Sequence, residues 1–575
     1  MRSFGMKRHL ARGLLGVCGL LGALLWTSPA RASWTVLDEP SAWLNASDHV
    51  SGDVALFGFS VAIDDGVIVV GSHLTQLPTG EGDGQAYVFV EPAGGWGPPT
   101  EVLTESAVLR ACAPGFFAQE FGYDVDIDSG VIAVGARYAT ETFRDVGAGY
   151  LFQESSGGWV TTCAPDPILP GLTARVTAAD GNADDRLGVA VATSGGQALF
   201  GAPKDDEAAF NAGASYLYTL ETLGNSDPAD DLWLPVGGEK LLADLVPDFP
   251  PFASDFAGDD VAISAPTGFA LVSAPNPNFT GPQSGEVYSY DLNGIPAAVQ
   301  VLQNPLGPSV GDEFGAAIAL SPDGARAVVS QRDHDSIVAA GLAHVYRLEA
   351  GLWVLEARLD APDPGVQDFF GNAVAIDGDR VVVGVAADDD QGSGSGSAWV
   401  FVRRDGGTPD PSDDVWEAEF KLLPPEAGGD LAGQALTRFG TSVAISGATV
   451  VVGRPEDDWD GVLTGSAYVY ELPPPLSLAA NGTCPGSLTV TISGGTEDGA
   501  GFLVAGGATG TTTIPVGGCA GSEVDVEGVL GTLPVSFDSV GNLNLAVAPP
   551  AGLCGAFLQA VDLATCRVTN VVSLP

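Results

Sequence analysis

FGTSVAISGATVVVGRPEDDWDGVLTGSAYVYEL, residues 439–472, is the stretch on which the reading of the fold turns. Alone it offers two leads. One is a valine run ending in Gly453-Arg454-Pro455, like a strand entering a ligand loop; the other is an acidic loop from Glu456 to Gly461. Both recede once the rest of the chain is set beside it, because the unit recurs. FGFSVAI (57–63), FGYDVDI (121–127), LGVAVAT (187–193), AGDDVAI (257–263), FGAAIAL (314–320) and FGNAVAI (370–376) align with FGTSVAI (439–445), at a period of 56 to 70 residues. Each copy runs through a tight turn such as Asp65-Gly66 into a second strand (VIVVGS, 67–72). A variable loop, a third strand (QAYVFV, 85–90) and a fourth near Trp96, Trp159, Trp233, Val299, Trp353 or Trp416 follow. Four short strands per repeat predict the radial blades of an all-β, seven-bladed β-propeller.

Alternation along the first strand places Phe57, Phe59, Val61 and Ile63 on one face and Gly58, Ser60 and Ala62 on the other. One bulky and one small face suits inner strands stacked blade on blade around an axis. The seventh copy runs into Pro473-Pro474-Pro475 after its third strand, while SWTVLDEP (33–40) precedes the first copy. Residues 33–40 are therefore expected to supply the missing fourth strand and lock the ring.

Phe-Gly, then Val-Ala-Ile, then Val-Val-Gly with Ala-Pro, then Ala-Tyr-Val-Phe resembles the FG-GAP repeat of integrin α-subunit propellers, in a bacterial exported form. The likeness spans residues 33–472 and implies a propeller used for extracellular recognition or adhesion. In integrin-type repeats the turn between the first two strands often carries a calcium loop. Here those turns are short, as in Asp64-Asp65-Gly66 and Ser446-Gly447-Ala448, too short to wrap six to eight oxygens around calcium. The family's calcium sites are therefore not carried over.

Residues 1–32 read as a signal peptide. Arg2, Lys7, Arg8 and Arg12 precede an apolar run too short to favour a membrane span, and Ala30-Arg31-Ala32 fits the cleavage pattern. The expected location is secreted, cell-surface or periplasmic, with no transmembrane segment. That leader holds five of the 23 basic residues and none of the 72 acidic ones, leaving 18 basic against 72 acidic. Such a surface repels nucleic acid and favours cations, basic partners or simple solvation. Beyond the linker 473–475, residues 476–575 lose Trp and Tyr and alternate, as in SLTVTIS and NLNLAVA. They predict a small β-sandwich-like domain resembling C-terminal modules of exported bacterial proteins. Cysteine usage fits export. Cys112 and Cys163 are candidates for a bridge between neighbouring blades. Cys484, Cys519, Cys554 and Cys566 allow three pairings, the sequential Cys484–Cys519 and Cys554–Cys566 being favoured.

Two acidic features are candidate sites. Asp124, Asp126 and Asp128 share one face of the second copy's first strand, where other copies are mostly small, and Asp260 repeats the position of Asp124. They would hold a cation, calcium being possible, or else meet channel water, backbone N–H groups or a neighbouring Arg. The second feature is the set of loops between second and third strands. Asp205, Asp206, Asp388, Asp389, Asp390, Asp457, Asp458 and Asp460 would form an acidic binding face there. No cofactor is called for beyond this. Asp333-His334-Asp335 is read as a solvated turn, and no catalytic constellation emerges. The leading expectation is a non-enzymatic binding or adhesion propeller for an extracellular protein or glycan. The alternative is a hydrolase or lyase acting on extracellular glycans with carboxylates near the axis.

Overall fold

The computed structural model describes residues 34–48, 54–75, 84–97, 102–111, 119–140, 145–164, 172–208, 210–222, 231–242, 256–275, 285–307, 312–332, 340–404, 414–425, 436–457 and 463–474. Beyond the prolines it describes 477–482, 488–493, 500–513, 523–536, 542–547, 557–562 and 572–573. These residues form strands and turns, and no helix among them is long and apolar enough to cross a membrane.

Seven sheets share one plan. The first joins Val61–Asp64, Val67–Ser72, Gln85–Val90 and Ala107–Ala111 antiparallel in that order. The inner strands of the next six are Phe121–Asp128, Val191–Ser194, Val261–Ser264, Phe314–Leu320, Phe370–Asp377 and Val443–Ser446. Each inner strand packs beside the next, and Val443–Ser446 returns to Val61–Asp64, so the row of sheets, here blades 1 to 7, closes into a ring. Every blade is covered on both faces by its neighbours. That is why its second strand is continuously apolar rather than alternating. Between blades 6 and 7, for example, Val382, Val400 and Phe420 pack with Phe439, Val443, Val452 and Tyr470 in one core.

The repeated glycines set the spacing of the blades. A Cβ on Gly71, Gly135, Gly201, Gly384 or Gly453 would collide with the carbonyl of Gly122, Gly188, Gly258, Gly440 or Gly58 on the following blade. The Gly453–Gly58 pair closes the ring, reinforced by Ser442, whose hydroxyl donates to the Gly58 carbonyl at 2.8 Å. Blades 4 and 5 carry Ser273 and Ser330 at the corresponding place. Their hydroxyls accept from the Asp260 and Ala317 N–H groups, both at 2.8 Å.

Three sequence expectations need correction. Phe57 is buried between blades whereas Phe59 lines the axis, because an irregularity at the Phe-Gly turn breaks the simple alternation. The same register shift is seen in blade 2 between Phe121 and Val125. Trp96 and Trp159 lie before the fourth strands of blades 1 and 2, which are Ala107–Ala111 and Leu172–Val176. The strand that completes blade 7 is Ala42–Leu44, antiparallel to Ser466–Glu471, with Trp43 stacked on Tyr468 at 5.7 Å. Pro40 divides this strand from Thr35–Leu37, which instead extends blade 6 by pairing parallel to Val415–Leu422. The same device recurs twice. Val102–Leu103 pairs parallel to Ala42–Leu44, and Thr162–Ala164 pairs parallel to Ala107–Ala111. At these three junctions the segment leading into a fourth strand first covers the outer edge of the preceding blade, satisfying an otherwise open row of backbone groups.

After the prolines, Ser477–Gly482, Leu488–Ser493 and Leu543–Val547 form one sheet. Ala500–Thr513, Glu523–Ser536, Phe557–Asp562 and Val572–Ser573 form another. Val490 and Ile492 of the first pack with Leu503, Val535, Leu558 and Ala560 of the second, giving this region its own core. Cys112, Cys484, Cys519, Cys554 and Cys566, and residues 1–32, lie outside the described residues. Cys163 is placed only as backbone, in Thr162–Ala164.

The glycine contact makes a direct prediction. Gly384→Ala, which drives a methyl into the Gly440 carbonyl, should cost about 1–3 kcal/mol as overpacking. Gly94→Ala, with open space around it and no left-handed backbone, should change stability by less than about 0.5 kcal/mol. Urea unfolding of both variants checks this, and equal losses would remove blade contact as the reason for the motif.

Candidate functional site

The seven inner strands enclose an axial channel of about 490 Å³. Each inner strand starts at the face bearing the loops between second and third strands and ends at the face bearing the tight turns. Its channel-side residues therefore run from one mouth to the other. Asp124, Asp126 and Asp128 descend the wall in this way, and all three reach across to blade 3. Asp124 accepts from the Val191 N–H at 2.7 Å, Asp126 from the Thr193 N–H at 2.6 Å and hydroxyl at 3.0 Å, and Asp128 from the Gly195 N–H at 2.8 Å. The other oxygen of Asp124 accepts from the Ser60 hydroxyl of blade 1 at 2.7 Å, so this carboxylate spans three blades. Asp260 does the same between blades 4 and 5, accepting from the Ile318 N–H at 2.7 Å. Asp64 and Asp377 repeat the role of Asp128, taking the N–H groups of Ser129 at 2.7 Å and Gly447 at 2.6 Å. Inner strands have no further strand to pair with, and these carboxylates occupy donors left on that free edge.

Burial dominates their ionisation. Half-buried in the channel wall, they are desolvated by the surrounding blades, which pushes Asp124 up to about 6, Asp126 to about 7 and Asp260 to about 8 against the lowering effect of the accepted N–H bonds. Asp64 and Asp259 move in the same direction, desolvated by the surrounding blades although Asp259 keeps an exposed face.

The loop face is built differently from the expectation. Asp205, Asp388 and Asp457 are buried and do not form an exposed rim. Asp205 accepts from the Tyr216 hydroxyl at 2.8 Å and pairs with Lys240 at 2.7 Å. Asp388 accepts from the Ser397 hydroxyl at 2.6 Å and pairs with Lys421 at 2.8 Å. Asp457 accepts from the Ser466 hydroxyl at 2.7 Å, with Arg454 at 3.5 Å. Each sits four residues after the second-strand glycine position and ties its loop to the third strand. The exposed neighbours fold the loops: Asp206 accepts from the Asn211 N–H at 2.6 Å and Asp389 from the Gly394 N–H at 2.7 Å. Asp458, Asp460 and the Asp333-His334-Asp335 turn lie outside the described residues.

Blades 3 and 6 carry matching clusters that sequence reasoning missed. Lys240 contacts Asp180, Asp205 and Glu207 at 2.7, 2.7 and 2.6 Å. Lys421 contacts Asp363, Asp388 and Asp390 at 2.6, 2.8 and 2.6 Å. Each ammonium lies beside an aromatic ring, Tyr216 or Trp399, at 5.3 or 5.2 Å. Ligand atoms of Asp363, Asp388 and Asp390 lie within 4.8 Å of one another, close enough to hold a metal ion, but Lys421 already supplies a positive charge there. The carboxylates in turn hold both ammonium groups strongly protonated, overcoming burial. Comparing equivalent repeat positions was the signal available. Lys240 and Lys421 occupy the same fourth-strand place, opposite Tyr216 and Trp399.

A closed ring of four-stranded antiparallel blades around a channel is a β-propeller. The FG-GAP repeat family matches residues 41–89, 171–218, 353–401 and 429–470, and the chain carries FG-GAP repeats. No curated protein matches it. Three of the four matches begin at or near the fourth strand of one blade and end in the third strand of the next.

Two predictions follow from the charges. A carboxyl pushed above its unfolded value near 3.8 binds its proton more tightly when folded, so its contribution to stability falls as pH rises from about 4 to about 8. Scanning calorimetry should give a higher Tm at pH 5 than at pH 8, with a smaller difference in Asp260→Asn. An undiminished slope in that variant would assign the effect to overall charge repulsion instead. Lys421→Met leaves a buried carboxylate uncompensated and should cost about 3–5 kcal/mol. Calcium should restore part of that loss in the variant and leave the wild-type Tm unchanged relative to chelator. No calcium effect on the variant would deny that the three carboxylates can converge on an ion.

Proposed function

We propose that this chain is an exported binding module that recognises an extracellular protein or glycan through its loop face. The supporting observation is the pairing of rigid loops with exposed apolar side chains. The lysine-centred clusters and the Asp206 and Asp389 turns hold the loops of blades 3 and 6 in fixed shapes. On that side Phe210 is 67% exposed, Val366 69% and Leu436 56%, apolar side chains available to a partner as anchors. Loops on a rigid scaffold, with apolar anchors amid charge, are the usual build of a recognition surface. The channel carboxylates support binding over glycan cleavage, because each gives one oxygen to a backbone N–H of the adjoining blade.

The test is a screen of the chain against extracellular glycans and surface proteins, followed by Phe210→Ala. Loss of a buried aromatic contact should weaken a genuine ligand by roughly tenfold or more with Tm unchanged. A ligand whose affinity ignores Phe210, Val366 and Leu436 alike would place recognition elsewhere.

A further inference from the structure

At the loop-side mouth of the channel, blades 1 to 3 carry a ladder that neither the repeat nor the acidic loops explain. Phe59 and Tyr123 line the channel. The His73 ring packs on both, at 4.4 and 5.3 Å. The Arg137 guanidinium lies 3.7 Å over the Tyr123 ring and 4.8 Å from that of Tyr138, whose ring lies 5.1 Å from the Arg186 guanidinium. His73 and Arg137 stand where the Gly-Ala-Pro segment has its proline in blade 3, Pro203, and blade 7, Pro455. Blades 1 and 2 also have Thr75 and Ala139 at the place of the buried loop aspartates, so this sector of the face lacks their negative charge.

The two guanidiniums are under-used. Arg137 engages Glu120 through Nε at 2.7 Å, leaving the terminal nitrogens without a hydrogen-bonded carboxylate among the described residues. Arg186 is 4.0 Å from Asp184, too far for a hydrogen bond, and its buried Nε has no partner among the described residues. Such a pair is unusual in a chain where Lys240, Lys421 and Arg403 each contact two or three carboxylates. His73 adds no charge: burial, then the charge of Arg137, lower it to about 3 and keep the ring neutral.

We propose that this ladder is a subsite for a carboxylated sugar, an assignment that rests on the loop face being the recognition surface. Guanidinium forks pair with a carboxylate in a plane and stack on aromatic rings while doing so. Phe59 at the channel mouth offers an apolar surface to the C–H face of a sugar ring. Asp259, one residue after the Phe-Gly position of blade 4 and electrostatically coupled to Tyr123, supplies an acceptor for hydroxyls. The chain's net charge of -49 disfavours polyanions with several charges on each unit, which favours ligands with one carboxylate per sugar ring among several hydroxyls.

The test titrates the full chain with trigalacturonate, its methyl ester and a glutamate-rich peptide by calorimetry. Trigalacturonate should bind and the ester should not. Arg186→Gln and Arg137→Gln should each weaken binding by about ten- to a hundredfold, the range of a lost charged hydrogen bond. The two side chains are about equally exposed, 22% for Arg137 and 25% for Arg186, and an unchanged Tm of each variant separates lost binding from a folding defect. Equal binding of acid and ester, indifference to both substitutions, or no binding of trigalacturonate overturns the subsite. Binding of the glutamate-rich peptide alone, with the same arginine dependence, overturns the sugar assignment. A loop-face ligand that depends on Phe210 but not on Arg186 overturns the subsite while leaving the binding face in place.

Discussion

Backbone meeting backbone between blades is the constraint on which the rest of this structure depends. Where Gly71 faces Gly122, or Gly453 faces Gly58, no side chain separates two sheets. The separation of the blades near the axis is set by peptide groups rather than by packing volume. Everything further out is then free to vary. The cores between blades are filled by different mixtures of Val, Leu, Phe and Tyr, yet the inner strands keep one spacing. Serine at positions 273 and 330 shows the tolerance of the rule: each hydroxyl takes an inner-strand N–H as a partner.

Close approach at the axis leaves an electrostatic problem that the acidic composition helps to answer. Inner strands present unpaired N–H groups to a narrow channel, and a carboxylate is an acceptor that a short side chain can carry across to the next blade. Asp64, Asp124, Asp126, Asp128, Asp260 and Asp377 each do so. Acidity in this chain is therefore partly structural. The same holds on the loop face, where the first aspartate of a pair is buried against Lys240 or Lys421 and only the following residues meet solvent. Net charge gave no warning of this, because it counts staples and surface alike.

The difference explains what was legible in the sequence. Phe-Gly, Val-Ala-Ile and Val-Val-Gly repeat because the axis imposes the same stereochemistry on every blade, so the propeller could be read without coordinates. The closing strand was misplaced by a few residues. Thr35-Val36-Leu37 and Ala42-Trp43-Leu44 both have strand-like composition, and only pairing distinguishes an added edge strand from the completing one. Burial of Asp205, Asp388 and Asp457 was hidden for another reason. Adjacent aspartates look equivalent in sequence, and for Asp205 and Asp388 the partner that separates them is a lysine on the distant fourth strand, while Asp457 has Arg454 beside it in the chain. Arg137 and Arg186 were legible only as departures from the repeat.

The backbone has a cost at a position that every copy of the repeat shares. The residue before each Phe-Gly position adopts a left-handed conformation: Leu56, Glu120, Arg186, Phe256, Glu313, Phe369 and Arg438 all have φ between 50° and 62°. Left-handed backbone costs a residue with a side chain about 1–2 kcal/mol, and glycine would relieve it. The turn itself does not demand a side chain, since it is closed by backbone bonds such as the Phe59 N–H to the Leu56 carbonyl at 3.2 Å. Seven strained positions without a single glycine, carrying apolar, acidic and basic residues in turn, mark side chains kept for what they contact. Glu120 and Glu313 hold Arg137 and Arg332; Arg186 reaches over Tyr138. A scaffold fixed by glycine backbone contacts thus carries its variation in a strained ring of side chains at the loop-side mouth, and the two underused arginines lie within that setting.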